Sequence, residues 1–335
     1  GLGISGVAWA AVSLILFKMD VQVGGGNLTG RVHTWQLFGS FLGMGLILLY
    51  VGRRYYGSVL RRAAFLPTAD RVGSGPTWAL RIGLVAAAGL ALLMIFVLHL
   101  HWLLAVLTVM LVALMLLVMT RISAESGMFF IQPHWQPLMV LIGLFGTAAL
   151  GPNMLIILAI LSIVVAIDPR NCLMPVVANA LRTGERVDLQ PSRVSRWMVV
   201  AVLLAVAFGV VFTIYLQYNL GGTHYGWATT GVSKYPFTFL TGELRRMSDL
   251  GQNIDPSQWH EFDLHPSAWN PNNRFLWAAG FGVGLVMLFS ALRLRFTWWP
   301  IHPVIFLVWG TWAMNNMVAS FFLGWFIKVL VTRMG

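Results

Sequence analysis

The sequence predicts an all-α polytopic integral membrane protein with about six full transmembrane helices and two broken or re-entrant helical segments. Of its 335 residues, 58% are hydrophobic and 10% are charged, and the mean hydropathy is +0.77. Soluble domains are on average about a quarter charged. The long apolar runs are continuous rather than alternating at period two, which favours membrane helices over the strands of a β-barrel.

The predicted full spans are uncharged or nearly uncharged runs with aromatic residues near their ends. The 15 Trp and 21 Phe fit aromatic belts at two membrane surfaces, and the 34 Gly fit close helix packing. We place these spans at residues 2–17, 35–51, 79–98, 102–120, 197–218 and 275–292.

The net charge of +11 is concentrated in short loops beside the apolar runs. That distribution is the topology signal of an inner membrane and does not indicate a nucleic-acid partner. We therefore expect a multi-pass protein of the bacterial inner membrane, with the lipid bilayer as its surroundings. The arginine-containing loops after residues 51, 167 and 292 are assigned to the cytoplasm, and the segment 121–137 returns to the same side.

The first interrupted segment is the uncharged run 138–167, which contains Gly151-Pro152-Asn153 near its middle. A straight helix of this length would measure about 45 Å against a hydrocarbon core of about 30 Å. Positive residues flank both of its ends, so both ends are expected in the cytoplasm. We therefore predict a re-entrant helical hairpin with Gly151-Pro152-Asn153 at its tip. A single kinked structural helix is the alternative.

The second interrupted segment is the run 304–331, which has Asn315-Asn316 at its middle. Its stretch from Gly310 aligns with the stretch from Gly146 after one gap, which suggests an internal repeat. Paired interrupted helices indicate a binding site near the membrane midplane. Alternatively, the asparagines bond across helix interfaces. We assign candidate substrate-binding roles to the interrupting residues Gly151, Pro152, Asn153, Asn315 and Asn316.

Glu125 is the acidic residue set between two long apolar stretches, in residues 121–137. A carboxylate at or within the membrane is a candidate for proton coupling. Arg121 lies four residues earlier, so on a helix the two side chains would be neighbours. The alternative is therefore an ion pair that fixes a helix end.

The polar region 219–274 is expected to be an external loop within a single transmembrane domain that comprises residues 1–335. Its string WHEFDLHPSAW holds His260, Glu261, Asp263 and His265, but the spacing matches no zinc pattern. We predict no metal site and no cofactor, and we predict that the protein is not an enzyme, since no nucleophile with a base stands out. Residues 172–181 are expected to form an amphipathic surface helix.

Two strings carry a family resemblance: RISAESGMFFIQPHW, and the stretch from Phe275 to the end with its core Arg-Phe-x-Trp-Trp-Pro-x-His-Pro at 295–303. They resemble uncharacterised bacterial polytopic membrane proteins related to the oligopeptide transporter superfamily. The resemblance implies a proton-coupled carrier of small peptides or metal chelates. It also implies a chain about twice this length, so that this chain is part of a longer one. It assigns no individual contact residue.

From these patterns we expect a secondary transporter for a small polar solute. The alternative is a non-transporting scaffold or accessory subunit of a larger membrane complex. Partner subunits or a homo-oligomer fit either function.

Overall fold

The structure is a computed structural model that describes residues 9, 11–12, 31–68, 73–126, 131–166, 172–221, 231–249, 251, 262, 265, 267, 269–299 and 301–334. In this part of the chain the secondary structure is helical and no strand occurs. In chain order the helices are α1 (Val32–Val51), α2 (Arg53–Ala63), α3 (Ser74–Phe96), α4 (Trp102–Ser126), α5 (Pro137–Phe145), α6 (Thr147–Ala166), α7 (Leu173–Arg186), α8 (Pro191–Leu220), α9 (Tyr235–Asp249), α10 (Asn273–Arg295), α11 (Ile305–Val308) and α12 (Trp312–Met334).

Seven of the described helices are long and apolar enough to cross a membrane, so the predicted all-α polytopic class is confirmed. The predicted full spans from residue 35 onward are confirmed as α1, α3, α4, α8 and α10. The other two long helices, α6 and α12, are the second arms of the two interrupted runs. The predicted span 2–17 lies almost wholly outside the described residues.

Helices α1 and α10 run parallel and form the most extensive helix contact among the described elements. The side chains of Trp35 and Phe275 stack with ring centroids 5.5 Å apart. Further along both helices, Gly39 lies against Ala279. Both pairs keep the same register, so the two helices begin at one end of the bundle and finish at the other.

Glycines allow the backbones of α1 and α10 to touch. A Cβ atom on Gly39 would lie 1.9 Å from the carbonyl oxygen of Ala279, and one on Gly282 would lie 2.1 Å from the carbonyl oxygen of Gln36. No side chain fits at such distances. Small residues at helix interfaces permit this close approach in membranes, where dispersion contacts rather than water exclusion drive association.

Several helix ends share one strongly basic end of the bundle. His302, which follows α10, has its Nε2 4.0 Å from the Oε2 of Glu125 near the end of α4. Arg182 of α7 donates a 2.8 Å hydrogen bond to the carbonyl oxygen of Ala124. We call this the basic end; its arginines include Arg53, Arg54, Arg61, Arg62, Arg121, Arg182, Arg186, Arg293 and Arg295.

Two predicted segments outside the spans can be compared with the structure. The predicted surface helix at 172–181 is confirmed as α7, and it extends to Arg186. The polar region 219–274 holds a helix, α9, which packs against α6. In the string WHEFDLHPSAW, the residues His260, Glu261 and Asp263 lie outside the described part of the chain.

The buried side chains form two neighbouring hydrophobic clusters. One lies between α1, α4 and α10 and includes Trp35, Phe41 and Trp135. The other lies between α4, α5, α6 and α9 and includes Phe145 and Leu158. By contrast, α3, α8 and α12 bury 6%, 0% and 0% of their apolar windows within the described protein. Those three helices therefore offer apolar surface to lipid or to another protein.

Candidate functional site

The first interrupted segment folds back on itself as a helical hairpin. The short helix α5 ends at Phe145, and Gly146 follows with a φ of 86°. A second interruption falls inside α6 at Gly151, where φ is 71°. The backbone N–H of Leu138 donates to the Oγ of Ser162 at 3.0 Å, so the start of α5 lies beside the far part of α6. This arrangement agrees with the predicted hairpin, and its turn extends from Gly146 to Gly151.

The last carbonyl groups of α5 accept hydrogen bonds from backbone N–H groups in the segment just before α10. The carbonyl oxygen of Phe145 accepts a 3.0 Å hydrogen bond from the N–H of Asn270, and that of Gly143 accepts one of 3.0 Å from Asn272. A helix end inside a membrane protein needs such partners because lipid supplies none. The segment before α10 therefore holds the turn of the hairpin in place.

The second interrupted segment breaks at Gly310, which has a φ of 68° and separates α11 from α12. The hydroxyl of Thr311 donates to the carbonyl oxygen of Val308 at 2.6 Å. The prediction of an interruption at Asn315-Asn316 is wrong, because both residues lie inside α12. Glycine adopts positive φ at no steric cost, whereas the asparagines keep helical geometry here.

The aligned glycines of the two runs, Gly146 and Gly310, therefore both take positive φ between a short helix and a long one. In both runs the short first arm, α5 or α11, follows a helix that finishes at the basic end. This likeness supports the predicted internal repeat, with both copies running in the same direction.

The first turns of α1 lie between the two interruptions. A Cβ atom on Gly143, near the end of α5, would lie 2.0 Å from the Cζ2 of Trp35. One on Gly310 would lie 2.6 Å from the Cε1 of His33. Neighbouring positions of one helix thus touch both broken segments.

A hydrogen-bonded network ties α1 to the second interruption. The indole Nε1 of Trp309 donates to the Oε1 of Gln36 at 2.7 Å. The Nε2 of Gln36 donates to the Oγ of Ser40 at 2.7 Å and to the carbonyl oxygen of Phe306 at 3.2 Å. Ser40 in turn donates to the carbonyl oxygen of Gly282 at 3.4 Å. Gln36 and Ser40 are buried, so this network is a polar site inside the bundle.

Four buried polar atoms on α1 and in the two residues before α5 have no hydrogen-bond partner among the described residues. They are the Nε2 of His33, the Nε1 of Trp35, the Nε1 of Trp135 and the Oε1 of Gln136. Trp35 and Trp135 both contact the ring of Phe38, at 5.7 and 5.1 Å between centroids. An unmet buried polar group costs about 1–3 kcal/mol, so its presence calls for an explanation such as a bound solute or water. We name the whole set the polar junction: His33, Trp35, Gln36, Ser40, Trp135, Gln136 and Trp309.

The predicted substrate-binding residues have different environments. Gly151 and Pro152 are buried, whereas Asn153 is exposed on the outside of the described bundle. Asn316 is also exposed, and the side chain of Asn315 lies outside what the structure describes. The roles assigned to these five residues stay predictions.

Glu125, the predicted proton-coupling residue, lies at the basic end and forms the expected ion pair with Arg121 on the next turn. His302 contacts the same carboxylate at 4.0 Å. The carboxylate is partly exposed, with 28% of the side chain accessible. The geometry agrees with the alternative of an ion pair at a helix end. It leaves proton coupling through Glu125 a prediction.

Stability should depend on pH through His302. Burial and the nearby Arg293 lower the pKa of His302, and Glu125 opposes them more weakly. The unfolded chain would take up this proton near pH ~6.5 and the folded chain only at lower pH. We therefore expect the thermal midpoint to fall as the pH drops below ~6.5.

The measurement is a set of melting curves in detergent across this pH range. The variant His302→Gln should lose less stability on acidification than the unmodified protein, and His265→Gln, at an exposed histidine, should lose as much. An identical pH response in His302→Gln would contradict the assignment.

No group of three or more His, Cys, Asp or Glu that could hold a metal occurs among the described residues. The polar junction instead supplies indole, amide, hydroxyl and imidazole groups. The sequence did not indicate that His33, Gln36 and Ser40 belong to a polar site, because polar residues are common at the start of a membrane span. The aligned glycines were the signal that could have located the second interruption.

One family model matches nearly the whole chain. A family model described as a family of unknown function, DUF6785, matches residues 7–335. No curated protein and no solved structure matches the chain. Because the matched residues make up nearly the whole sequence, the chain belongs to DUF6785, a family of unknown function.

Proposed function

We propose that the protein is a secondary transporter, or the core of one, that carries a small polar solute past the polar junction. One observation carries this proposal: two interrupted helices meet the first turns of the same span, where buried polar atoms have no partner among the described residues. Interrupted helices at membrane depth line solute paths in carriers, because the broken ends present backbone donors and acceptors.

The chemistry of the polar junction points to the class of solute. Its groups are neutral apart from His33 when protonated, and they include two indole donors and one amide acceptor that have no hydrogen-bond partner in the described part of the chain. Such a set suits a compact neutral or zwitterionic molecule with both donors and acceptors. The resemblance to oligopeptide transporter relatives narrows the first choice of probes to small peptides and metal chelates. The basic end would face the cytoplasm by the positive-inside rule.

Uptake into proteoliposomes tests the function. The purified chain would be reconstituted and given a dipeptide or a metal chelate under an imposed proton gradient. We expect accumulation that depends on the gradient, and Glu125→Gln tests whether the coupling passes through that carboxylate. If no peptide or chelate accumulates, the transporter proposal fails for these solutes.

A matched pair of glutamine variants tests the site. Gln36→Leu removes the buried amide that Trp309 and Ser40 contact, and it should reduce uptake by about tenfold or more, equivalent to about 1.4 kcal/mol. Gln217→Leu, on the exposed surface of α8, should leave uptake unchanged. Unchanged uptake in Gln36→Leu would remove the polar junction from the path, and Asn315→Ala tests the second interrupted run in the same assay.

An accessory subunit of a larger complex is the second candidate function. It is favoured by α8, which buries none of its apolar window within the described protein. Uptake distinguishes the two functions, since an accessory subunit would carry no solute, and light scattering in detergent tests for a partner as a protein mass well above that of the 37.1 kDa chain.

A further inference from the structure

Glu243 is a buried carboxyl on α9, the helix that packs against the first interrupted segment. The buried positions of α9 are Pro236, Glu243 and Met247, and Leu240 on the same stripe is partly buried. These positions follow helical spacing, so they form one face. An acidic residue thus lies in the middle of an otherwise apolar contact face.

This face of α9 packs on α6 near its interruption. Phe239 and Leu240 pack against the cluster that contains Phe145, Leu150 and Met154, the residues that flank Gly146 and Gly151. Because α9 contacts α6 and packs against this cluster, it lies against the hairpin that holds the first interruption.

Among the described residues, the surroundings of Glu243 contain little that would stabilise a negative charge. The whole of α6 has no ionisable residue. Lys234, in the 3₁₀ turn before α9, is exposed, and the ring of His101 contacts Phe262 of the cluster, with centroids 5.2 Å apart. On α9 itself, Arg245 and Asp249 are exposed.

Arg246 is the one cation within ion-pair range of Glu243 in the described chain. Its Nε lies 3.7 Å from the Oε2 of Glu243, too long for a hydrogen bond, and 61% of its side chain is exposed. The same Oε2 is buried and has no hydrogen-bond partner among the described residues. Exposed ion pairs of this kind offset little of the cost of burying a carboxylate.

We propose that Glu243 is a proton-binding site and that α9 stays docked on α6 only while this carboxyl is neutral. Deprotonation would draw the carboxylate towards water and release α9 from the interruption. The role of α9 in transport rests on the proposed function: α9 would cover the hairpin while Glu243 is protonated and move away when Glu243 loses its proton. The site lies at the end of the bundle away from Glu125.

The direction of the pH effect follows from the burial. Burial raises the pKa of the Glu243 carboxyl above its usual value, and Arg246 opposes that rise. A raised pKa in the docked state means that docking is favoured at low pH. Docking is then lost as the pH rises through the raised pKa.

Distance measurements between two spin labels test the docking directly. In a Cys172→Ser background, labels on Thr241→Cys of α9 and Ile160→Cys of α6 occupy exposed positions. Pulsed electron–electron resonance would be recorded from pH ~4.5 to ~8.5. We expect one short distance at low pH and a growing longer population at high pH.

Two variants make the measurement decisive. Glu243→Gln keeps the shape of the neutral carboxyl, so it should hold the short distance at every pH. Asp249→Asn, an exposed acid on the same helix, should behave as the unmodified protein does. The proposal would be overturned if the distance distribution of the labelled protein with Glu243 did not change with pH. It would also be overturned if the distribution of Glu243→Gln still changed with pH.

Uptake measurements separate this inference from the transporter proposal. If uptake occurs, Glu243→Gln should lose its pH dependence while Asp249→Asn keeps it. If no solute is carried but the label distance still responds to pH through Glu243, the proton site stands and the transporter proposal fails.

Discussion

Replacing Gly282 with alanine should cause a large loss of stability, about 3 kcal/mol or more. The added Cβ would lie 2.1 Å from the carbonyl oxygen of Gln36 and 2.8 Å from the backbone N of Ser40. Backbone atoms cannot move aside as a side-chain tip can, so α1 and α10 would have to separate. Separation would also break the hydrogen bond from Ser40 to the Gly282 carbonyl. The measurement is the thermal midpoint in detergent.

Neighbouring glycines of α10 provide the controls. Gly280 and Gly284 have nothing within 4 Å of an added Cβ. Gly280→Ala and Gly284→Ala should leave the midpoint unchanged or raise it slightly, since alanine favours a helix over glycine by about 1 kcal/mol. If the thermal midpoint of Gly282→Ala equals that of these control variants, the close α1–α10 contact is not present in the protein.

Replacing Gly310 with alanine should disable the second interruption. Its φ of 68° costs an L-residue about 1–2 kcal/mol. The added Cβ would also lie 2.6 Å from both the Cε1 of His33 and the Cε2 of Trp9. We expect a lower thermal midpoint and, under the proposed function, a loss of uptake of about tenfold or more. His33 would be displaced from the polar junction, so the loss should persist in molecules that remain folded.

The control for Gly310→Ala is Gly324→Ala, in the exposed part of α12 with nothing within 4 Å of an added Cβ. It should keep both stability and uptake. Equal effects of the two substitutions would show that Gly310 has no special backbone role. A stable Gly310→Ala protein with full uptake would remove the second interruption from the solute path.

Hydropathy and charge were sufficient to predict the class and most spans, because each span is defined by its own residues and the thickness of a bilayer. The first interruption was predictable at Gly151 because Pro152 follows it and cannot continue a helix's hydrogen bonds. The second interruption was predicted at Asn315-Asn316, five residues after its actual position at Gly310, because paired asparagines are the more conspicuous polar feature of that run. Whether the glycine or the asparagines interrupt the helix depends on backbone geometry that neighbouring helices determine.

The polar junction could not be predicted, because its contacts join positions far apart in the chain. Gln36 meets Phe306 and Trp309 only after α10 has packed beside α1. Glu243 was missed for a related reason: in sequence it lies in a polar region with several other charges. Only the packing of α9 on α6 shows that this carboxyl is buried.

The parallel contact of α1 with α10 has a consequence for biosynthesis. The ribosome makes α1 well before Ala279 and Gly282, which α1 contacts, since Ser40 and Gly282 are 242 residues apart in the chain. Until then the amide of Gln36 and the hydroxyl of Ser40 must sit in lipid, or against the insertion machinery, without their final partners. Packing of α1 in its final place therefore has to wait until α10 has been made, and a chain that stops before α10 leaves α1 without this partner.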